Sequence, residues 1–149
     1  MSQKREILLR EEMNNGFFHI VDSGFLSNIE KPDGNLLSEE WFYSVHDFYG
    51  GICIVTKLDG KQYYLREDGT FVSDVGYHSV NPFINGMGTV SNENHTWDWM
   101  LPSGELFFKK WVKKAYPGFC SPVLYVVFED DSTARYDERT KEVEYRFSD

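Results

Sequence analysis

Three turn-forming pairs, Asp33-Gly34, Asp68-Gly69 and Ser103-Gly104, place their glycines 35 residues apart twice over. A fixed interval of this length marks a chain built from copies of one supersecondary unit, in which each copy buries against its neighbours the apolar surface it cannot bury alone. With one residue inserted in the last copy, Phe48, Phe83 and Phe119 coincide. From that phenylalanine Gly51, Gly86 and Pro122 fall three residues on, Cys53, Gly88 and Leu124 five on, and Val55, Val90 and Val126 seven on. Alternate spacing puts the residues five and seven on, Cys53, Gly88 or Leu124 and Val55, Val90 or Val126, on one face of a strand, and the Gly or Pro just ahead lets the strand begin. A polar turn comes next (KLDGK, NENH, EDDST), then a second strand over Gln62 to Leu65, Trp97 to Met100 and Thr133 to Tyr136. Each copy therefore contains a β-hairpin, with Asp59-Gly60 as its clearest turn signal. A further turn leads to LL, FV or LFF, and then to a looser segment carrying Trp41, Gly76 or Trp111.

The ordered pattern F-x-x-G-x-[small]-x-V, a polar turn, W-x-[aromatic]-[apolar]-x-x-x-G resembles the WG-repeat family of bacterial β-rich repeat proteins over residues 33 to 140. In that family a Trp-Gly pair stands seven and six residues before the closing glycine. Trp97 takes the tryptophan place relative to Gly104, and Trp99 and Met100 take the aromatic and aliphatic places. The departures are Asp98 in the glycine place, Gln62 and Thr133 for the tryptophan, and Thr140 for the last closing glycine.

The expected fold is mainly β: sequential antiparallel hairpin or meander repeats of about 35 residues in a single domain over 1–149. Repeats occupy 33–67, 68–102 and 103–140. Residues 1–32 depart from the pattern and are expected to be an N-terminal cap, with a short helix over KREILLREEM stopped at Asn14-Asn15-Gly16 and a hairpin turning at Ser23-Gly24. Residues 141–149, KEVEYRFSD, alternate Val143, Tyr145 and Phe147 with charge, as an antiparallel edge strand does.

At 149 residues, with 41% hydrophobic and 17% aromatic side chains, the chain can bury a core without staples. Fifteen Lys and Arg against 24 Asp and Glu give a net charge of −9, which repels phosphate backbones and anionic membranes. No direct nucleic-acid or membrane partner is expected. MSQKREILLREE lacks a long apolar core and no stretch approaches the ~18 apolar residues of a span, so a soluble, cytoplasmic protein is expected. Cys53 and Cys120 sit in apolar runs outside any CxxC and are expected as buried free thiols.

No catalytic constellation emerges. Ser44, His46 and Asp47 lack a nucleophile elbow or oxyanion turn, and His19, His46, His78 and His95 lack the paired spacing of metal ligands. Neither metal nor cofactor is expected. Acidic turns are the more informative feature: Glu129, Asp130 and Asp131 at one hairpin tip and Asp137 and Glu138 at the next turn. They are expected to meet a basic protein partner, which makes the chain a non-catalytic interaction protein. Such acidic neutralisers include toxin immunity proteins and phage-encoded inhibitors of nucleic-acid-binding defence enzymes. Trp97 and Trp99, two apart on one strand, share a face while Asp98 takes the other. They are expected to form the seam between stacked hairpins, the alternative being an exposed platform for carbohydrate or another small ligand.

Overall fold

The computed structural model describes residues 5–117 and 122–146. It is all-β, with thirteen antiparallel strands and no helix among the described residues. The strands fall into four meanders in chain order. β1 (Ile7–Glu12), β2 (Phe18–Asp22) and β3 (Ser27–Glu30) form the first, and β4 (Ser44–Tyr49), β5 (Ile52–Thr56) and β6 (Gln62–Arg66) the second. β7 (Ser79–Ile84), β8 (Met87–Ser91) and β9 (Trp97–Met100) form the third. β10 (Val112–Pro117), β11 (Val123–Phe128), β12 (Thr133–Asp137) and β13 (Glu142–Arg146) form the fourth. The last two meanders are continuous as a seven-stranded sheet, yet they join through one residue pair, Trp97 and Val112. The same corner recurs between Ser27 and Phe42 and between Gln62 and Tyr77, each displaced by 35 residues. One junction geometry therefore serves all three seams.

The 35-residue period also governs the segment after each third strand. Leu36, Phe71 and Leu106 bridge back to Glu30, Leu65 and Met100, and the N–H groups of Leu37, Val72 and Phe107 donate to the carbonyls of Ile29, Tyr64 and Trp99. The Asp of each Asp-Gly turn shapes it directly. Asp33, Asp59 and Asp68 accept the N–H two residues on, at 2.9, 2.8 and 2.9 Å.

Strand residues on alternating sides fill three core clusters, one per seam. Ile29 and Met13 of the first meander meet Phe48, Cys53, Val55 and Leu65 of the second. Ile54 and Tyr64, on the opposite side of the second meander, meet Val80, Val90 and Met100 of the third. Trp97 and Trp99 of the third meet Val112, Val126, Phe128 and Ala134 of the fourth. Tyr64 reaches farthest: its hydroxyl donates to the Asn81 carbonyl at 2.5 Å, and a Cβ on Gly88 would lie 2.3 Å from that hydroxyl. Val55 and Val90 are fully buried and Phe48 nearly so, whereas Phe83 is half-buried, packed edge-on against Tyr64 at 4.7 Å. Phe119, expected to be their equivalent, and Cys120 lie outside the described residues.

One expectation about the chain's ends is corrected and another is met. The N-terminal helix is absent; Ile7–Glu12 is instead strand β1, paired antiparallel to β2 and exposed along its length. Ile7, Leu8 and Leu9 stand side by side and not at helical spacing, and an isolated helix this short has no apolar stripe to dock, so the free edge of β2 provides the better hydrogen-bond partner. The described part of residues 1–32 forms a three-stranded antiparallel meander, as the second and third units also do. Its outer side is closed by charge: Arg10 lies over Phe18 at 3.7 Å and donates to Glu30, and Arg5 pairs with Asp22. At the other end β13 is the expected antiparallel edge strand over Glu142–Arg146, with Phe147 outside the described residues.

Candidate binding surfaces

The five acidic residues singled out from the sequence do not form one patch. Glu129, Asp130 and Asp131 cap the β11–β12 turn, while Asp137 and Glu138 lie at the opposite end of β12. At a rise of about 3.3 Å per residue that separates the groups by about 20 Å. Three of the five are also occupied. Asp130 pairs with Lys110 at 2.8 Å, and Asp131 pairs with Lys113. The Lys110 ammonium and the Ser132 hydroxyl and N–H hold the Asp130 carboxyl well below the usual carboxylate range. Asp137 is buried and receives two side-chain hydrogen bonds from Arg139, at 3.2 and 3.1 Å, which with the Arg139 N–H bring its pKa down to about 2. Glu129 and Glu138 are exposed and form no salt bridge among the described residues.

A different set of acids shares one edge. In each of the first three meanders the segment after the third strand runs back antiparallel, so the loop leading to the next meander returns to the end that holds the turn between the second and third strands. Glu39 and Asp74 from these loops therefore join Asp59, Glu93 and Glu129 from these turns. All five are exposed and none takes part in a salt bridge among the described residues.

Trp97 and Trp99 are both half-buried, with ring centroids 5.7 Å apart. Trp99 stacks on Phe108 at 5.3 Å and 26°, and meets Phe107 and Tyr136 edge-on at 5.4 and 5.2 Å. One side of the pair is thus seam. The other lines a shallow depression of about 360 Å³ with Asn81, Thr89, Ser91 and His95. That depression is a property of the repeat. Equivalent ones of about 370 and 350 Å³ lie where Ile54, Gln62 and Tyr64, and then Tyr125, Thr133 and Arg135, replace Thr89, Trp97 and Trp99.

Between the two indoles Asp98 is fully buried. Its carboxylate accepts the N–H groups of Trp99, Phe108 and Lys109 at 2.7, 3.0 and 2.9 Å, and so fixes the loop into the fourth meander, where Lys109 has φ of 60°. Burial pushes the Asp98 carboxyl up, against the opposing pull of these donors. Asn28, 70 residues earlier, does the same work: it accepts the Ile29 N–H at 2.7 Å and donates to the Ser38 carbonyl at 2.9 Å. Asp98 is therefore a loop anchor.

Of the residues that mimic a triad, Asp47 accepts the N–H groups of Asn14 and Phe48 at 2.8 Å each, which makes it a brace between the first two meanders. Cys53 is fully buried, and burial pushes its thiol up to about 12. Among the described residues no group of three or more His, Cys, Asp or Glu side chains is placed to hold a metal ion, and no helix is long and apolar enough to cross a membrane. Sequence reasoning misses a cleft of about 610 Å³ between the second and third meanders, beside Gly76. The signal for it lies in the register of the repeats, where Gly76 stands at the place of Trp41 and Trp111.

No family model and no curated protein matches the chain. Solved structures similar to it include the computationally designed Ika4 protein, with a TM-score of 0.43 at 14% identity over 97% of this chain and 94% of Ika4. The computationally designed Ika8 protein has a TM-score of 0.41 at 12% identity over 95% of this chain and 49% of its own. BamB from Moraxella catarrhalis has a TM-score of 0.41 at 11% identity over 89% and 50%. The chain spans about half the length of Ika8 and BamB.

Proposed function

We propose that this chain is a non-catalytic interaction protein that covers a basic surface of a protein partner, acting as an acidic neutraliser of the kind represented by toxin immunity proteins or phage-encoded inhibitors of nucleic-acid-binding defence enzymes. The observation that carries this reading is the edge of Glu39, Asp59, Asp74, Glu93 and Glu129, exposed and free of salt bridges among the described residues of a chain with net charge −9. Charges on a rigid rim act chiefly on encounter: they steer a partner of opposite sign and are screened by salt. A second reading, a carbohydrate- or small-ligand-binding module, draws on the open side of Trp97 and Trp99.

Association of a basic protein recovered from native lysate is to be measured between about 0.1 and 1 M salt, where the Debye length falls from ~10 to ~3 Å. The expected outcome is a rate that drops steeply with salt, and drops again at low salt in the triple variant Glu39→Lys, Asp74→Lys, Glu129→Lys. A salt-independent rate, or an unchanged rate in the triple variant, refutes the acidic edge.

A further inference from the structure

The cleft beside Gly76 exists because one copy of the repeat departs from the other two. At the loop position 35 residues apart the chain carries Trp41, Gly76 and Trp111, and thirteen residues earlier it carries Asn28, Tyr63 and Asp98. The pairs are Asn with Trp, Tyr with Gly, and Asp with Trp. In the second copy the Tyr63 ring occupies space next to the loop, and a Cβ on Gly76 would lie 2.4 Å from its Cζ. Tyr63 is buried and its hydroxyl is bonded to Asp59 at 3.1 Å, so the ring is held in place. A phenol on the strand does not refill the volume that an indole on the loop fills elsewhere, and about 610 Å³ stays open, within the range of small-molecule sites.

Trp111 and Tyr77, half-buried and edge to face at 6.2 Å, supply an aromatic wall. Asp59, Lys61, Glu93 and Asn94 supply the polar rim. Asp59 is ionised at neutral pH, because the Lys61 N–H and the Tyr63 hydroxyl hold its carboxyl below the usual range. The rim mixes donors (Lys61 Nζ, Asn94 Nδ2) with acceptors (the two carboxylates), and two acids against one lysine leave one net negative charge. A cation would use the acceptors alone and would meet the lysine; an anion would be repelled by the rim and by the whole chain. A hydroxyl-rich neutral ligand uses both kinds of partner, and its C–H faces lie against the electron-rich faces of the aromatic rings.

The geometry points to a binding site for a neutral saccharide in this cleft, with Trp111 and Tyr77 as the stacking wall and Asp59, Lys61, Glu93 and Asn94 as the hydroxyl partners. This site is separate from the Trp97 and Trp99 depression. It shares Asp59 and Glu93 with the acidic edge, but Glu39, Asp74 and Glu129 do not line it, so the triple variant at those three positions tests the edge without altering the cleft.

The test titrates the full chain with neutral disaccharides (cellobiose, maltose, lactose and chitobiose) and follows amide and indole resonances. At least one is expected to give saturable shifts at Gly76, Asn94 and Trp111, with Kd on the order of 1 mM and unchanged by salt. Asn94→Ala, an exposed position, is expected to weaken binding roughly tenfold while leaving the fold intact. The paired change Tyr63→Asn with Gly76→Trp, which copies the Asn28 and Trp41 arrangement, is expected to abolish it; should that variant fail to fold, Asn94→Ala decides. No saturation by any of the four sugars up to about 50 mM, shifts centred on Trp97 and Trp99, or preferential binding of acetyl-arginine amide would each overturn the assignment. Failure here leaves the salt dependence of protein association untouched, and the reverse also holds.

Discussion

Substituting alanine at the three turn glycines separates a backbone requirement from a packing one. Gly34, Gly69 and Gly104 have φ of 89°, 89° and 93°, so the cost of a left-handed alanine is common to all. That cost is about 1–2 kcal/mol, offset by about 0.4–1 kcal/mol because alanine also restricts the unfolded chain. Their surroundings differ. A Cβ at Gly34 meets nothing within 4 Å, one at Gly69 would lie 2.7 Å from the Leu37 carbonyl oxygen, and one at Gly104 would lie 2.2 Å from the Val72 carbonyl oxygen. These carbonyls belong to the preceding repeat, 32 residues back in each case, and backbone cannot swing aside as a side-chain tip can. Overpacking of this kind adds about 1–3 kcal/mol. Gly34→Ala is therefore expected to cost about 0.5–1 kcal/mol and Gly104→Ala about 2–4 kcal/mol, with Gly69→Ala between them. At about 2–4 °C per kcal/mol for a chain of this size, Gly104→Ala should lower Tm by roughly 5–15 °C. Urea unfolding should show the same order with an unchanged m-value. Equal losses at all three positions would refute the reasoning, since the glycine period would then reflect turn conformation alone and not the approach of successive repeats.

Asp98→Ala removes the acceptor for three backbone N–H groups and should cost about 3–5 kcal/mol by chemical denaturation, whereas Asp98→Asn, which Asn28 shows to be compatible with this position, should cost less. A larger loss for Asn than for Ala would contradict the anchoring role. Phe48→Ala should cost about 3–5 kcal/mol and Phe83→Ala measurably less, in line with full against half burial; the opposite order would place the seam wrongly. Because the folded Asp137 carboxyl binds its proton more weakly than the unfolded one, its contribution is present above pH ~4 and is lost as pH falls toward about 2. Asp137→Asn should accordingly flatten the acid limb of stability against pH, and an unchanged limb would show that Arg139 adds nothing. Cys53 should resist iodoacetamide at pH 8 in the folded protein and react in denaturant, as peptide mapping would reveal; equal rates in the two states would contradict its burial.

The sequence discloses the fold to the extent that the fold is periodic. The strand expected over Trp97 to Met100 matches β9 end to end, and Gln62 and Thr133 begin β6 and β12 as their repeat register requires, because alternation and turn residues are local signals. The first meander is hard to read for a related reason. ILLREE carries no alternation, its six residues are all exposed, and only the neighbouring β2 edge makes it a strand. The acidic residues fail differently. A charge run in sequence says nothing about which lysine will fold against it, and Lys110 and Lys113, some 20 residues from Asp130 and Asp131, are brought onto them by the pairing of β10 with β11. Nor could the sequence alone place Glu39, Asp74 and Glu93 beside Asp59 and Glu129, since that edge arises from the direction in which each connecting loop returns.

Repetition fixes the backbone here and leaves the side chains to differ, so departures from the period are where specific chemistry can enter. At the position held by Asn28, Tyr63 and Asp98 the three copies use an amide, a phenol and a carboxylate, and each choice is matched by the residue thirteen places later. The amide and the carboxylate tie the loop by hydrogen bonds to Ser38 or to Phe108 and Lys109, and the loop then carries a tryptophan. Tyr63 instead bonds to Asp59 at the near end of its own strand, so the loop must pass it on a glycine. The compensation preserves the corner between Gln62 and Tyr77, which has the same form as at the other two seams, while it removes an indole from the surface beside that corner. A packing substitution confined to one copy accompanies the cleft at this seam, and the walls of that cleft come from two successive meanders. Its shape consequently depends on the seam between them and not on any single turn.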